Sequence, residues 1–222
     1  MEYVANKNII AKRIARIFKS GDVVNLGIGL PTLVGNYVPE DVTLVLQSEN
    51  GMLGLGPAPA KGQENWDLTN AGSSPVTVRP GGYFFDSAMS FGIIRGGHVD
   101  YTVLGVLEVD QEGNLANYKI PGKMVPGMGG AMDLVTGAKR VIVAMEHCTK
   151  DGDSRLLTNC SLPLTAKARV SLVVTELAVM SIAHGEFVLH ELAPGVSLEH
   201  VKAKTQANLK IAQDLKVMAF PG

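Results

Sequence analysis

Gln47-Ser48-Glu49-Asn50-Gly51-Met52-Leu53-Gly54-Leu55-Gly56-Pro57 sets one carboxylate between an apolar run and a series of glycines. A glutamate is ionised at neutral pH, so it can attack an electrophilic carbonyl without a separate base. It is a weak nucleophile that gains from being desolvated and aimed. Attack on a carbonyl would create an oxyanion, which neighbouring backbone N–H groups could stabilise. Glycines suit such a place because they admit backbone conformations closed to other residues and let the chain approach a ligand closely. Glu49 could also cap the next helical turn or pair with a surface base.

Gly122 to Met132 is the second stretch with chemical character, with four glycines in nine residues and one Lys, Lys123, ahead of a helix expected from Ala131 to Val135. Free N–H groups there could hold an oxyanion or a pyrophosphate, with the positive helix end adding to the field. Lys123 precedes the glycines, so the spacing is not that of a P-loop. Gly27-Ile28-Gly29-Leu30-Pro31 joins a strand to a helix and offers a place for an anion, or a tight turn with no ligand. It lacks the third glycine of a dinucleotide fingerprint. Arg95 and His98 could reach a carboxylate or phosphate, or simply fix their own loop. His147, Cys148 and Cys160 lack zinc spacing, and Asp151 and Asp153 lack the other ligands of a calcium loop, so no metal is expected. His184, His190 and His200 read as structural.

The elements that must position these groups follow from periodicity. Residues 7–20 have helical spacing, with Asn6 or Asn8 to cap the start and Gly21 to close the end. Asp22 to Leu26 reads as a strand and Thr32 to Tyr37 as a helix opened by Pro31. Thr43 to Leu46 has the continuous apolar character of a strand buried on both faces of a parallel sheet, ending at Glu49. A carboxylate at the C-terminal end of such a strand sits where open α/β sheets bind ligands. Asp67 to Asn70 and Pro75 to Arg79 read as short strands ended by Pro80-Gly81-Gly82. Val99 to Leu107, Val141 to Met145, Ser171 to Leu177, Ala178 to Ile182 and Glu186 to Leu192 read as further strands. Glu108 to Ala116 reads as a turn, and Val196 to Ala207 and Leu209 to Leu215 as helices, the first started by Ser197. The expected fold is α/β, an open, mostly parallel sheet flanked by helices, in one domain over residues 1–222.

With 222 residues, 46% apolar and 18% charged, the chain needs neither disulfide nor metal to hold a core. A formal net charge of -1 and no basic cluster argue against a nucleic-acid partner. Two cysteines make no disulfide framework. No apolar run reaches bilayer length and no signal-peptide order opens the chain, so no membrane partner and a cytoplasmic location are expected.

Ser48-Glu49-Asn50-Gly51 followed by Gly54-Leu55-Gly56 resembles the active-site signature of the β subunit of 3-oxoacid-type coenzyme A transferases. Similar blocks are Val24 to Pro31, Phe85-Asp86-Ser87, Ile94 to His98 and Ile120 to Leu134, and the resemblance runs in order from about residue 7 to about residue 215. It implies a ping-pong transferase that moves coenzyme A (CoA) between a short-chain acyl-CoA and a free carboxylic acid. Glu49 would be the nucleophile and would become a glutamyl-CoA thioester. The same resemblance makes Asn25 a polar partner orienting that carboxylate. It gives Gly129, Gly130 and Ala131 backbone contacts to the reacting oxygen or to CoA, and sets Asn50 and Gly51 in the matching loop. No cofactor beyond CoA, itself a substrate, is implied. Where many relatives have Lys after Asn-Ala-Gly, this chain has Asn70-Ala71-Gly72-Ser73, which puts a cation near the CoA phosphates in doubt. The pattern leans toward acetate, butyrate and acetoacetate rather than succinate. The family's complete enzyme has a second, α-type half, so an α subunit partner is expected, as a heterodimer or α2β2 assembly with the active site between subunits. Rival readings are a CoA-ester hydrolase using Glu49, a sugar-phosphate isomerase with a carboxylate base, and a non-catalytic binding subunit.

Overall fold

A computed structural model describes residues 7–122 and 127–220. Asn6 and Lys123 to Pro126, named above as a cap and as part of the second glycine stretch, lie outside these residues. A ten-stranded sheet organises the chain, in the order β13-β12-β11-β10-β8-β5-β1-β2-β3-β4. Its centre is parallel: β1 (Val23–Leu26), β2 (Val45–Ser48), β5 (Tyr101–Leu104), β8 (Arg140–Ala144) and β10 (Val170–Val174). These strands carry apolar residues on successive positions because both faces are covered. Val103 and Leu104, like Ile142 and Val143, are buried neighbours that belong to opposite layers.

One layer holds α1 (Lys7–Ala15) and a 3₁₀ helix, Leu30–Tyr37, whose Ile10, Ile14 and Val34 pack on Val24, Val103 and Ile142. The other holds α2 (Ser87–Arg95), α3 (Ala131–Gly137) and α4 (Leu198–Lys204). Asp86 opens α2, its side chain accepting from Met89 N–H at 2.8 Å, and Ser197 opens α4 in the same way through His200 N–H at 3.1 Å. A small sheet of β6 (Glu108–Asp110), β7 (Leu115–Ala116) and β9 (Leu156–Leu157) completes this layer.

The margins are antiparallel. On one side β3 (Met52–Leu55) and β4 (Val78–Phe84) extend from β2. On the other β11 (Ala178–Ala183) and β12 (Glu186–Leu192) form a hairpin, and β13 (Leu209–Val217) then lies parallel to β12.

Several expectations are corrected here. The glycine-rich stretch after Glu49 is the turn of a hairpin into β3, where Gly51 at φ 118 reverses the chain. Pro80-Gly81-Gly82 does not end a strand but lies inside β4, an edge strand where proline forfeits no ladder bond. Glu108 to Ala116 is a β6–β7 hairpin turning at Gly113, φ 80. Leu209 to Leu215 is strand, not helix: pairing with β12 outweighs the local pattern.

Candidate active site

Strand β2 ends at Ser48, and Gly51 N–H donates to Ser48 O at 3.1 Å to close the turn that holds Glu49. Gly51 is buried, and a Cβ there would collide with the Phe85 carbonyl. Phe85 N–H in turn donates to Gly51 O at 3.0 Å, so the turn is clamped against the segment leading into α2. The half-buried Glu49 side chain points across the sheet edge to the start of α3. There Gly130 N–H donates to Glu49 Oε1 at 3.2 Å. A Cβ on Gly130 would lie 2.5 Å from Oε2, and one on Gly129 3.5 Å from Oε1. A side chain at 130 would have to push the end of the Glu49 side chain aside.

Of the other expected site residues, Asn25 and Ala131 differ from the expectation. Asn25 is buried in β1, but its Nδ2 donates to Gln47 Oε1 at 2.7 Å and to Gln47 O at 3.3 Å, not to Glu49. The parallel β1–β2 register places Asn25 opposite Gln47, which fixes that pairing. Ala131 N–H donates to Met128 O at 3.0 Å, so it is already satisfied within its own turn. Asn50 faces away from the carboxylate and donates to Thr69 O at 2.8 Å.

Three residues not singled out from the sequence complete the setting. Gln47 passes the Asn25 contact on by donating to Ser90 Oγ on α2 at 3.1 Å, and both are buried. Ser48 Oγ accepts from Ala71 N–H at 3.0 Å, which with the Asn50 bond pins the Asn70 to Ser74 turn onto the Glu49 loop. That turn is closed by Asn70 Oδ1, which accepts from Gly72 and Ser74 N–H. The one signal in the sequence was a polar residue, Gln47, at an inward position of an otherwise apolar strand.

The coenzyme A transferase profile matches residues 7–204. The chain belongs to the coenzyme A transferase family. It is 59% identical over 212 residues to the beta chain of an acetate CoA-transferase of Haemophilus influenzae, covering 96% of this chain and 95% of that one. One subunit of a probable succinyl-CoA:3-ketoacid coenzyme A transferase of Bacillus subtilis is 51% identical over 211 residues, covering 95% and 97%. An acyl-CoA transferase apoenzyme of Escherichia coli superposes with a TM-score of 0.79 at 22% identity, over 99% of this chain and 44% of that longer one.

The remaining polar groups of this transferase chain lie outside the Glu49 setting. Arg95 pairs with Asp133 at 2.8 Å and ties α2 to α3, and a Cβ on Gly96 would press on the His98 ring. His147 is buried between Thr175 Oγ1 at 3.0 Å and Thr205 Oγ1 at 2.9 Å. Burial, followed by the charges of His200 and Lys204, lowers its pKa to about 4, so it is a neutral structural group near pH 7. Burial also pushes the Cys148 and Cys160 thiols up, which suppresses the reactive thiolate. Among the described residues no group of three His, Cys, Asp or Glu side chains is placed to hold a metal, and no helix is long and apolar enough to cross a membrane.

Proposed function

We propose that this chain carries the nucleophile of a CoA-transferase that moves CoA between a short-chain acyl-CoA and a free acid of the acetate, butyrate and acetoacetate class. The observation that carries this reading is the Gly130 N–H donated to the Glu49 carboxylate, at a position where an added side chain would displace that carboxylate. A Glu49 oxygen attacks the thioester carbonyl, the C–S bond breaks, and CoA leaves as thiolate from a mixed anhydride. The thiolate then attacks the glutamyl carbonyl and releases the first acid as carboxylate. The resulting glutamyl-CoA thioester accepts the second acid, and the same steps run in reverse.

In the resting carboxylate the negative charge is spread over two oxygens. In the tetrahedral state at the glutamyl carbon it concentrates on one. A donor already beside that oxygen therefore binds the transition state more tightly than the ground state. No group beyond CoA and the two acids is needed for this exchange.

The partner is an α-type subunit, in an α2β2 assembly with Glu49 near the contact. Support comes from exposed aromatic side chains on the neighbouring margin, Tyr83 at 67% and Phe84 at 63%. A second reading, succinyl-CoA as donor with a 3-oxoacid acceptor, is favoured by the 51% identity to the relative of that name.

The test is peptide mass spectrometry of the chain, co-purified with its partner, after incubation with acetoacetyl-CoA and quenching with borohydride. Reduction of a glutamyl thioester to the alcohol should mark the peptide containing Glu49 and leave Glu49→Gln unmarked. An unmarked wild-type peptide in a complex that binds CoA would remove Glu49 as nucleophile. Competition between acetate and succinate as acceptors separates the two substrate readings, and thioester loss without acceptor would indicate a hydrolase.

A further inference from the structure

We propose that a crevice between the carboxyl ends of β1 and β5 binds an oxyanion of a substrate, with Arg155 as its charge partner. The position follows from topology. From β1 the chain passes to β2 on one side through the 3₁₀ helix, while β5, β8 and β10 lie on the other side. Layers change faces between β1 and β5, because the 3₁₀ helix packs with α1 whereas α2 and α3 cover the opposite face. Such a switch point leaves the loops beyond the two strands splayed apart, and open α/β sheets bind ligands there.

A cavity of about 280 Å³ occupies this place, with Ile28 and Leu30 after β1 on one wall and Val106 and Leu107 after β5 on the other. It is sized for one end of a ligand rather than for a whole nucleotide. Lys7, Glu146 and Arg155 are the charged residues lining it. Lys7 and Glu146 answer each other at 3.4 Å. The backbone of Arg155 is fixed, its N–H donating to His147 O and its carbonyl accepting from Val109 N–H, both at 3.0 Å. Its guanidinium makes no hydrogen bond or ion pair among the described residues. Glu176 feels the Arg155 charge, but its carboxylate already accepts His147 N–H at 2.9 Å. Arg155 thus supplies a permanent positive charge beside apolar walls, where its planar fork suits a carboxylate or phosphate.

The crevice runs from Ile28, one strand spacing from the end of β2, to Met145 and Glu146 after β8, three spacings away, about 5–15 Å along the sheet edge. Ile28 forms the ridge between the crevice and the end of β2. It is 68% exposed, and a Cβ on Gly72 would sit 3.3 Å from its Cγ1, in the turn that Ser48 and Asn50 pin to the Glu49 loop. A ligand reacting at Glu49 reaches Arg155 only if its unreactive end spans those spacings, as a long carrier such as CoA does. This inference rests on the transferase reading. Two sources share the chemistry: a phosphate of CoA, and a carboxylate of a free substrate acid held in the crevice itself.

The experiment is calorimetric binding to the complex with its partner subunit, comparing wild type, Arg155→Gln and Arg155→Lys against CoA, inorganic diphosphate, succinate and acetate. The expected result is at least a tenfold loss in Arg155→Gln, partly recovered in Arg155→Lys. Loss confined to CoA and diphosphate assigns the site to phosphate; loss confined to succinate and acetate assigns it to carboxylate. Affinities within threefold for all four probes overturn the proposal, as does a uniform loss accompanied by a lower melting temperature. These readouts need no turnover. A failure here leaves the borohydride label on Glu49 intact, and a missing label leaves the binding comparison readable.

Discussion

On one side of the parallel core the sheet ends in a thin margin, β3 and β4; on the other it continues into a thicker one, β11, β12 and β13. The thin margin buries Met52, Leu55 and Val76 as its own apolar cluster, and its edge strand shows Tyr83 and Phe84 to the outside. The thick margin shares a large core that includes Val173, Met180, Phe187 and Leu189. Its edge strand carries Lys210, Asp214 and Lys216, charges that discourage pairing with another sheet. Glu49 stands where the core meets the thin margin, and the buried His147 knot belongs to the thick one. On the transferase reading proposed above, the Glu49 carboxylate meets substrate and partner, and it is set by backbone and glycine contacts with little core around it. The larger buried core lies on the side away from Glu49. Substitutions on the two sides should therefore separate activity from stability.

Gly130→Ala is the strongest test of that separation. The backbone there, φ -83 and ψ 6, is open to alanine, so the added methyl meets the Glu49 carboxylate rather than straining the chain. We expect kcat to fall by about 10²–10³-fold, with the melting temperature within about 2 °C of wild type. Steady-state kinetics beside calorimetry decides it. A kcat within threefold would mean that Gly130 does not face the reacting oxygen.

His147→Gln probes the other side. Unfolded histidine takes a proton near 6.5, whereas folded His147 does so only at about 4. Between these values the unfolded state binds more protons, so its contribution leaves stability intact above pH 6.5 and lowers it as pH falls toward 4. The whole window is worth about 3 kcal/mol. Glu176, whose pKa burial raises, acts in the opposite direction but remains in the variant. Urea unfolding at several pH values should show wild type losing stability relative to His147→Gln on acidification, with kcat at pH 7 alike in both. A parallel pair of curves would contradict the buried neutral histidine.

How much of this arrangement the sequence disclosed depends on the range of the contact. Val23 to Leu26, Tyr101 to Leu104 and Arg140 to Ala144 were legible because strands buried on both faces are apolar at consecutive positions. Ser197 was legible as a cap because its hydrogen bond spans three residues. Strand β13 was not, since its partner β12 decides its state from a distance. At the site, Glu49 stood out by its place after an apolar run. Its contact with Gly130 spans 81 residues and was legible only through the family resemblance. Gln47 and Ser90 stayed hidden because their pairing requires the β1–β2 register and the seat of α2. Asn25 as a direct partner of Glu49 came from the family resemblance, whereas the β1–β2 register pairs it with Gln47.

The smallest effect sharpens the comparison most finely. Ser48 is buried at the end of β2, yet its hydroxyl serves the thin margin by accepting Ala71 N–H at 3.0 Å. Ser48→Ala removes that acceptor and leaves the Asn70 turn held to the loop by the Asn50 bond to Thr69. A part-buried N–H that water can partly reach should cost about 1 kcal/mol, or about 2–4 °C in melting temperature. The loosened turn bears on the Glu49 loop, so kcat should fall by about fivefold, the same free energy expressed in rate. Hydrogen exchange at the Ala71 amide reports the event directly, and its protection should drop while amides of β11 and β12 keep theirs. If Ala71 stays protected, or if protection falls across the whole sheet, the thin margin is not the independent, lightly held unit that the position of Glu49 requires.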